Sequence, residues 1–425
     1  MMSDDASTPA TPQTVVVVGL GYVGLPLLLA ASRSGMRAVG FDVDADIVDL
    51  LRSRVSHVDD VTDEELSAAA AEFTTDPDCL KSADVMIVCV PTPLTEQQQP
   101  DLSAVESAIA LISERMPSGA LVVLESTSYP GTTDGMVLDA LALPGRTVGV
   151  DFHLAFSPER IDPGNPDFRL ENTPKIVGGI TEACSRLAAD FYRLFVDDVV
   201  VVSGTREAEM AKLLENTYRH VNIALVNEMA VFSHELNIDL WEVIRAASTK
   251  PFGFQAFYPG PGVGGHCIPI DPSYLSHSVR SLGYQFRFVE LAQEVSKGMP
   301  SYVVSRVQDM LNDVSKSLRN ARVLIVGLTY KAGVADVRET PARAVIRGFI
   351  NKGAVVEVHD PLVDEINIDG RVIMRTTDFG KSIERCDIAV VLQPHEQYLE
   401  SKLFDEAASV FDATGRLVGD TVVRL

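Results

Sequence analysis

Residues 15–42, VVVVGLGYVGLPLLLAASRSGMRAVGFD, decide how the chain begins to fold. Val15–Val18 is a run of four valines that ends at a glycine, which is typical of a strand buried on both faces. Leu25–Ser34 is apolar and predicts a helix, and Ala38–Asp42 indicates a second short strand. The sequence therefore predicts a strand–turn–helix–strand unit, which is the repeating unit of a parallel sheet.

The turn of this unit has the glycine spacing of a dinucleotide site. Gly19 permits a tight turn, Gly21 lets a pyrophosphate approach the backbone, and Gly24 lets the helix pack closely on the strand. The pyrophosphate would then lie at the helix N-terminus, whose free N–H groups attract it. Asp42 ends the next strand, where a carboxylate binds ribose hydroxyls and repels a 2′-phosphate, so we expect NAD rather than NADP.

Composition limits the partners of the chain. Asp and Glu outnumber Lys and Arg by 59 to 36, which gives a formal charge of −23 over 425 residues. Phosphate backbones bind basic surfaces, so we expect no nucleic-acid partner and no attraction to anionic lipid. The uncharged stretch 15–32 is near the lower limit for a membrane span, but glycines and Pro26 interrupt it, so we expect no membrane segment.

Cysteine usage indicates a reducing environment. The five cysteines, at positions 79, 89, 184, 267 and 386, are too few and too scattered for a disulfide framework. The sequence has no CxxC pair, so we expect neither a cysteine zinc site nor another bound metal. Residues 1–14 lack the basic start of a signal peptide and predict a disordered tail. We therefore expect a cytoplasmic protein.

Apolar patterning predicts more strands and then a helical middle. Helical stretches near 62–72 and 102–115 alternate with strand signals at Val85–Val90, Leu121–Leu124, Thr147–Val150, Lys175–Val177 and Val199–Val202. Thr205–Leu240 has a helical apolar period, and a second helix near 286–317 is expected to break at Gly298 and Pro300. Between them, Lys250–Pro272 is rich in glycine and proline and predicts a functional loop.

A second α/β block follows. Its predicted strands are Arg322–Gly327, Val355–His359, Ile388–Leu392 and Val410–Asp412, with a helix near 341–351. The turn after its first strand has Gly327 alone, so we expect it to bind a mononucleotide moiety, with Lys331 near a phosphate. The sequence thus predicts two doubly wound Rossmann-like domains with parallel sheets, joined by a helical central domain. The expected boundaries are 1–14 for the tail, then 15–204, 205–318 and 319–425 for the three domains.

Cys267 is the strongest candidate for a nucleophile among the cysteines. It lies in the loop GGHCIPIDP, residues 264–272, where glycines let a thiol approach a substrate. Thiolate chemistry would need nearby positive charge or a helix N-terminus, and an inert buried thiol is the alternative interpretation. Asp271 followed by Pro272 also suits a helix start, as an N-cap residue and a first-turn proline.

Four further residues are candidates for the site. Lys212 and Asn216 are four apart on a predicted helix, so they share a face and could hold an oxyanion or orient a water. The alternative for both is a solvated helix surface. Glu159 follows a strand end and is either a general base or one half of a surface pair with Arg160. Thr127 also follows a strand, at the edge where open sheets bind ligands.

Seven motifs, in order, make the chain resemble the nucleotide-sugar 6-dehydrogenases, the family of the UDP-glucose, GDP-mannose and UDP-N-acetylhexosamine dehydrogenases. They are GLGYVGLP (19–26), VPTPL (90–94), ESTSYPGTT (125–133), SPERIDPGN (157–165), KLLEN (212–216), GGHCIPIDP (264–272) and GLTYKAGVADVRETPA (327–342). The resemblance covers nearly the whole chain. It implies a four-electron oxidation that turns a hexose C6 alcohol into an aldehyde and then a uronate, with two NAD per sugar.

The resemblance also implies roles for individual residues. Cys267 would attack the aldehyde to give a thiohemiacetal, and a second oxidation would leave a thioester that water hydrolyses. Glu159 would handle the hydrolytic proton transfers. Lys212 and Asn216 would stabilise the oxyanion, and Asp271 would position a water or Lys212. Implied cofactor contacts are Gly19, Gly21, Tyr22, Val23, Gly24, Asp42, Pro91, Thr92, Ser126 and Thr127. Implied substrate contacts are Glu159, Arg160, Lys212, Asn216, Phe257, Tyr258, Gly264, Lys331 and Arg338.

Loop residues favour one branch of this family. SPERIDPGN and residues 250–262, KPFGFQAFYPGPG, are more similar to the UDP-N-acetylglucosamine and UDP-N-acetylmannosamine enzymes, and UDP- or TDP-glucose is the alternative substrate. The family also implies a homodimer formed through the central helices. A two-electron dehydrogenase of the 6-phosphogluconate or hydroxyacid type is a more distant alternative, which would need neither Cys267 nor a second α/β domain. A non-catalytic NAD-binding protein would predict a degraded catalytic set.

Overall fold

The computed structural model describes residues 13–425 except 96, 98, 266, 267, 400 and 401. Cys267 and its neighbour His266 therefore lie outside the described residues, as does the predicted tail up to residue 12. The chain divides into two compact units. One takes in the chain up to residue 215 together with 273–282, and the other takes in 216–272 and 283–425.

The first unit is built on an eight-stranded sheet. Its strands are β1 (Thr14–Val18), β2 (Arg37–Phe41), β3 (Glu72–Thr74), β4 (Val85–Val88), β5 (Leu121–Leu124), β6 (His153–Phe156), β7 (Lys175–Gly179) and β8 (Val199–Val201). They lie in the order β3-β2-β1-β4-β5-β6-β7-β8. Neighbouring strands are parallel, apart from the antiparallel pair β6 and β7. The predicted doubly wound fold is confirmed, with one antiparallel pair that the sequence pattern does not reveal.

Helices connect the strands and form the middle of the chain. They are α1 (Gly24–Arg33), α2 (Ala45–Arg52), α3 (Asp63–Ala68), α4 (Ser103–Arg115), α5 (Leu138–Leu141), α6 (Glu182–Tyr192), α7 (Thr205–Glu235), α8 (Leu240–Ala247), α9 (Asp271–Ser281), α10 (Arg287–Asp313), α11 (Ala342–Asn351), α12 (Phe379–Arg385) and α13 (Glu396–Leu399). Within the described chain, no helix combines the length and apolar character needed to cross a membrane.

The valine run of β1 explains why this sheet is covered on both faces. Side chains alternate along a strand, so Val15 and Val17 enter one core while Val16 and Val18 enter the other. Leucines of α1 fill the first core, and apolar residues of α4 fill the second. A central strand with both faces buried needs apolar residues at every position, which is what the run supplies.

One predicted strand of the first unit is wrong, and one predicted helix is shorter than expected. Residues 147–150 form a turn, in which the Gly149 N–H donates to the Phe152 carbonyl and Gly149 has a φ of +83°. The strand is β6 instead, a few residues later. The helix predicted near 62–72 ends at Ala68, and Glu72–Thr74 pairs with β2 as an edge strand. Both segments are too short for hydrophobic periodicity to separate strand from turn.

The second unit contains a smaller parallel sheet. Its strands are β9 (Arg322–Val326), β10 (Val355–His359), β13 (Ile388–Val391), β14 (Val410–Asp412) and β15 (Val422–Arg424), and a separate hairpin consists of β11 (Glu365–Ile368) and β12 (Arg371–Met374). The five-stranded sheet has the order β10-β9-β13-β14-β15. The predicted strands of this block are confirmed, whereas the hairpin and the last strand were not predicted.

The long helix α10 continues through Pro300, so the predicted break is wrong. Proline lacks the N–H that would bond to the carbonyl four residues earlier, which usually kinks a helix. Here Pro300 is itself buried, and so are Val303, Val304 and Val307 on the following turns. These valines pack into the core of the second sheet, so burial on both sides of the proline keeps the helix continuous.

A buried histidine connects α7 to α10 within the second unit. His220 on α7 is 1% exposed, and its Nε2 lies 3.4 Å from the Ser296 hydroxyl on α10. Burial lowers the pKa of His220 from 6.5 to about 4, because the protonated ring would carry a charge into an apolar interface. The native state therefore holds this imidazole in its neutral form.

Replacing His220 with Gln is expected to weaken the loss of stability at acid pH. Between pH 6.5 and about 4 the unfolded chain protonates this histidine and the native chain does not, so native stability falls as the pH falls. The contribution of this group across that window is about 3 kcal/mol. Urea unfolding of wild type and His220→Gln at several pH values gives the unfolding free energy of each protein as a function of pH, and the slopes of the two plots are compared.

The exposed His277 provides the matched control. His277→Gln should lose stability with acid as wild type does, because carboxylates titrate equally in all three proteins. If the unfolding free energy of wild type and of His220→Gln depended on pH in the same way, the assignment of a neutral buried imidazole would be contradicted.

Candidate active site

Each of the three glycines in the first turn meets a different physical demand. Gly19 has a φ of +95°, and a Cβ there would lie 2.7 Å from the Cys89 carbonyl oxygen. A Cβ on Gly24 would lie 1.9 Å from the Gly19 carbonyl oxygen. A Cβ on Gly21 would meet no described atom within 4 Å. Gly19 and Gly24 are thus required by packing, while Gly21 keeps space free above the turn.

Asp42 is arranged to meet a ligand beside this turn. It follows β2, and its two carboxylate oxygens accept hydrogen bonds from the Leu20 N–H (2.8 Å) and the Asp44 N–H (3.0 Å). The side chain is only partly buried, so further lone pairs can accept from a ribose. Tyr22 and Val23, also partly buried, complete the turn before α1. These residues fit the diphosphate and ribose of a dinucleotide.

The carboxyl ends of β1 and β4 meet where the strand order reverses, which is the usual ligand crevice of an open sheet. Of the candidate cofactor residues after β4, Pro91 is exposed and Thr92 is buried. The Thr92 carbonyl accepts a 2.9 Å hydrogen bond from the Tyr274 hydroxyl. After β5, the Ser126 hydroxyl donates to the Val90 carbonyl at 2.8 Å. The candidate cofactor residues therefore share one edge of the sheet.

Lys212 reaches the same edge from α7. Its ammonium donates to the Thr127 hydroxyl at 2.5 Å, and the two residues are 7% and 9% exposed. The alternative of a solvated helical lysine is therefore wrong. A buried ammonium beside a hydroxyl, at the end of a parallel strand, is suited to stabilising negative charge on a substrate oxygen.

Glu209, one helical turn before Lys212, fixes the segment that carries Thr127. Its carboxylate accepts hydrogen bonds from the Gly131 N–H and from both the N–H and the hydroxyl of Thr133. Burial raises the pKa of Glu209, which these donors partly oppose. Sequence reasoning missed this residue. Its signal was a glutamate spaced for the same helix face as Lys212.

Glu159 is held by backbone on one side and by a lysine on the other. One oxygen accepts from the N–H groups of Arg160 (2.6 Å) and Ile161 (2.5 Å). The other lies 3.4 Å from the Lys175 ammonium. The Arg160 guanidinium pairs instead with Glu215 at 2.8 Å, so the alternative of a Glu159–Arg160 surface pair is wrong.

Lys175 also bonds to Glu125, at 2.8 Å. The other oxygen of Glu125 accepts a hydrogen bond from the Tyr192 hydroxyl. Burial alone would lower the pKa of Lys175, but the charges of Glu125 and Glu159 outweigh it and raise the pKa. Lys175 was not predicted as a site residue. Its only sequence signal is a lysine at the start of a strand that is otherwise apolar.

The second unit contributes a separate pair of polar residues. Asn216 on α7 donates from its side-chain amide to the Asp271 carboxylate at 2.6 Å. The two residues are 8% and 1% exposed, so Asn216 is not a surface residue. α9 begins at Asp271, with Pro272 next. The predicted nucleophile, Cys267, precedes this helix and lies outside the described residues.

The glycines before Cys267 lie against the turn that follows β9. A Cβ on Gly264 would be 2.8 Å from the Tyr330 Cβ, and a Cβ on Gly265 would be 2.7 Å from the Tyr330 ring. Lys331, the next residue, is partly buried in the same turn. Arg338 forms a 2.6 Å ion pair with Asp336. The loop and these cations therefore belong to one region of the second unit.

Two aromatic residues of the predicted loop are placed by ring contacts. Tyr258 is about half exposed and stacks on Trp241, with ring centroids 5.7 Å apart and planes at 11°. Phe257 contacts Tyr218 edge to face at 5.7 Å. An exposed stacked ring is a suitable surface for the face of a base or a sugar.

The second α/β block differs from the first at the residue corresponding to Asp42. Asp360 follows β10 and accepts from the Leu328 N–H at 2.6 Å, as Asp42 accepts from the Leu20 N–H. Asp360 is fully buried, however, and is paired with His395 at 3.1 Å. Its carboxylate is therefore not available to a ribose.

Domain models of one family match most of the chain. The NAD binding domain of the UDP-glucose/GDP-mannose dehydrogenase family matches residues 13–196, its central domain matches residues 206–297, and its UDP binding domain matches residues 324–420.

Individual proteins that are similar to this chain carry names from the same family. The UDP-N-acetyl-D-mannosamine dehydrogenase of Pyrococcus horikoshii is 34% identical over 90% of each chain. The UDP-N-acetyl-D-glucosamine 6-dehydrogenase of Pseudomonas aeruginosa is 37% identical over 82% of this chain and 83% of its own. Among solved structures, the P. horikoshii enzyme superposes with a TM-score of 0.86 at 32% identity, covering 97% of this chain and 98% of the other. A UDP-glucose dehydrogenase from Pyrobaculum islandicum gives a TM-score of 0.86 at 26% identity, covering 98% of each chain.

Alanine substitutions at Gly24 and at Gly21 should distinguish a glycine that is needed for packing of the turn from a glycine that is needed for NAD binding. The methyl of Gly24→Ala would collide with the Gly19 carbonyl, so we expect a loss of about 1–3 kcal/mol or more in unfolding free energy. The methyl of Gly21→Ala has open space, so stability should change by less than about 0.5 kcal/mol while NAD affinity falls. Denaturant unfolding without NAD and calorimetric titration with NAD measure the two effects. Wild-type NAD affinity in Gly21→Ala would contradict a close approach of the pyrophosphate.

Proposed function

The chain belongs to the UDP-glucose/GDP-mannose dehydrogenase family, and from this membership we propose that it oxidises the C6 hydroxyl of a UDP-N-acetylhexosamine to the carboxylate, with NAD. The observation that carries the proposal is the buried contact of Lys212 with Thr127 at the carboxyl edge of the NAD-binding sheet. That edge is where an open sheet binds ligands, and a buried ammonium there can stabilise a developing oxyanion.

Cys267 supplies the covalent chemistry in this proposal. Its thiolate would add to the C6 aldehyde, forming a carbon–sulfur bond and a thiohemiacetal. Oxidation of that carbon gives a thioester, and water then displaces the thiol to leave the acid. A thiolate suits both ends of this sequence, because it is a soft nucleophile and a competent leaving group.

The polar residues of the site would stabilise the oxyanion, position a water and accept its proton. Lys212 and Asn216 would stabilise the oxygen as it gains charge, with Thr127 orienting the Lys212 ammonium at 2.5 Å. Asp271 would hold the Asn216 amide, as its 2.6 Å hydrogen bond indicates, and position a water. Glu159 would accept a proton from the water that attacks the thioester, since one of its oxygens is not used by backbone donors.

NAD is the hydride acceptor when bound, and a four-electron oxidation consumes two molecules for each sugar. The residues that would hold it are Gly19, Gly21, Tyr22, Val23, Gly24, Asp42, Pro91, Thr92, Ser126 and Thr127. The open space above Gly21 and the partly exposed carboxylate of Asp42 fit this role.

The nucleotide end of the substrate belongs to the second α/β block in this proposal. The family's UDP binding domain covers it, and Lys331 and Arg338 provide cations near its first turn. Phe257, Tyr258 and Gly264 would line the substrate from the glycine-rich loop, and Arg160 from the NAD-binding domain. The names of relatives from P. horikoshii and P. aeruginosa favour a UDP-N-acetylhexosamine, and UDP- or TDP-glucose is the competing substrate.

Two NADH should form for each sugar consumed, with the highest kcat/KM for a UDP-N-acetylhexosamine. Product and NADH are quantified together for UDP-N-acetylglucosamine, UDP-N-acetylmannosamine, UDP-glucose and TDP-glucose. Cys267→Ser should abolish uronate formation, because an alkoxide is a much poorer leaving group than a thiolate and a poorer nucleophile at neutral pH.

Cys184→Ser is the matched control, since Cys184 is a buried thiol that packs against β6, and its uronate yield should match wild type. One NADH per sugar, with turnover indifferent to Cys267→Ser, would instead support a two-electron dehydrogenase. A preference for UDP-glucose would move the enzyme to the glucose branch of the family.

The homodimer belongs to the same proposal. Tyr218, Leu225 and Phe232 recur every seven residues on α7 and are 47%, 54% and 47% exposed. Residues seven apart lie on one side of a helix, so these side chains form an apolar strip that a second copy would cover. The scattered cysteines and the need for a reduced Cys267 support a cytoplasmic location.

Charging this strip should separate the dimer. We expect Leu225→Glu/Phe232→Glu to elute as a monomer in size-exclusion chromatography with light scattering, because two buried carboxylates would face their copies across the interface. Unchanged far-ultraviolet circular dichroism would show that the fold is intact. A dimer of wild-type mass for the double variant would place the contact elsewhere.

A further inference from the structure

Lys175 is an ammonium enclosed by the first unit. Its side chain is 3% exposed, and it contacts Glu125 at 2.8 Å and Glu159 at 3.4 Å. The ammonium also lies 5.3 Å from the centroid of the Tyr192 ring. A buried charge is costly unless it is paired, so the position of this lysine is determined by its two carboxylate partners.

The two carboxylates are bound to different extents. Glu125 has one oxygen on Lys175 and the other on the Tyr192 hydroxyl, and its side chain is fully buried. Glu159 has one oxygen on two backbone N–H groups, and its second oxygen lies at the longer distance of 3.4 Å from Lys175. Lys175 is therefore bound closely to Glu125 and more loosely to Glu159.

We propose that Lys175 is a positioning residue for Glu159: through its longer contact it directs the carboxylate oxygen that no backbone N–H binds toward the attacking water, while Glu125 takes the shorter contact with the ammonium. This deepens the proposed function, because it rests on Glu159 as the base of thioester hydrolysis. The lysine acts through Glu159 and does not contact substrate.

The proposal predicts the direction in which the pH dependence of thioester hydrolysis changes when one charge of this cluster is removed. The titratable groups near Glu159 are Lys175, Glu125 and Cys89, and behind them lie Tyr192, which bonds to Glu125, and Lys212, which lies near Cys89. Removing the Lys175 charge leaves two carboxylates facing each other, which favours protonated Glu159. Removing the Glu125 charge leaves the ammonium to Glu159 alone, which favours the ionised form. The rate of thioester hydrolysis falls at low pH as the base is protonated, and this part of the pH–rate profile is its acid limb. The two changes should therefore move the acid limb in opposite directions.

The experiment follows thioester hydrolysis as a function of pH in the full-length enzyme. Lys175→Met should move the acid limb to higher pH by about one unit, slow hydrolysis about tenfold or more at neutral pH, and accumulate the acyl-enzyme on Cys267, detected by intact-protein mass. Glu125→Gln should move the limb to lower pH. Lys175→Arg keeps the charge and should restore the wild-type limb.

Folding is controlled separately. Lys175→Met leaves two buried carboxylates without a cation and risks unfolding, whereas Lys175→Met/Glu125→Gln keeps the net charge of the cluster. The double variant should fold and still hydrolyse slowly, because its Glu159 lacks the positioning contact. Lys381→Met, on an exposed surface lysine, is the matched control and should behave as wild type.

Two outcomes would overturn the proposal. Wild-type hydrolysis in a folded Lys175→Met/Glu125→Gln variant would make Lys175 a purely structural residue, as would acid limbs that move in the same direction in Lys175→Met and Glu125→Gln. Glu159→Gln distinguishes this result from failure of the proposed function. If Glu159→Gln hydrolyses the thioester normally, Glu159 is not the base. If it accumulates acyl-enzyme, the base assignment stands whatever Lys175 does.

Discussion

The contact of Gly24 with the Gly19 carbonyl determines how close α1 lies to β1. The space between them admits a hydrogen atom and no methyl group, so the helix begins directly at the carboxyl end of the central strand. That position puts the start of α1 beside the crevice between β1 and β4. The parallel strands beside β1 end at the same carboxyl edge of the sheet. The candidate residues of the first unit lie along this edge.

Burial of charge is the second constraint on this edge. Glu209, Lys212 and Lys175 are all nearly inaccessible to solvent, although isolated buried charges are costly. Each is compensated by specific partners: backbone and hydroxyl donors for Glu209, Thr127 for Lys212, and two carboxylates for Lys175. Side chains held in this way have little freedom to reorient, which suits groups that must meet a reacting atom.

The two Rossmann-like sheets use one arrangement for different purposes. In each, an acid after the second strand accepts from the N–H of the residue after the turn glycine, and these acids are Asp42 and Asp360. Asp42 keeps part of its surface open, whereas His395 covers Asp360. The similar backbone geometry therefore provides an open carboxylate in the first sheet and an internal acid–histidine contact in the second.

The sequence alone determined the fold class, the strand–turn–helix unit at 15–42 and the motifs of the family, because these depend on local periodicity, glycine spacing and residue identity. Only the tertiary structure decided the antiparallel β6–β7 pair, the continuity of α10 through Pro300 and the partners of Glu159. Those features depend on contacts between residues far apart in the chain. Lys175 is the clearest case, since a lone lysine in an apolar strand becomes meaningful only when folding brings Glu125 and Glu159 to its ammonium.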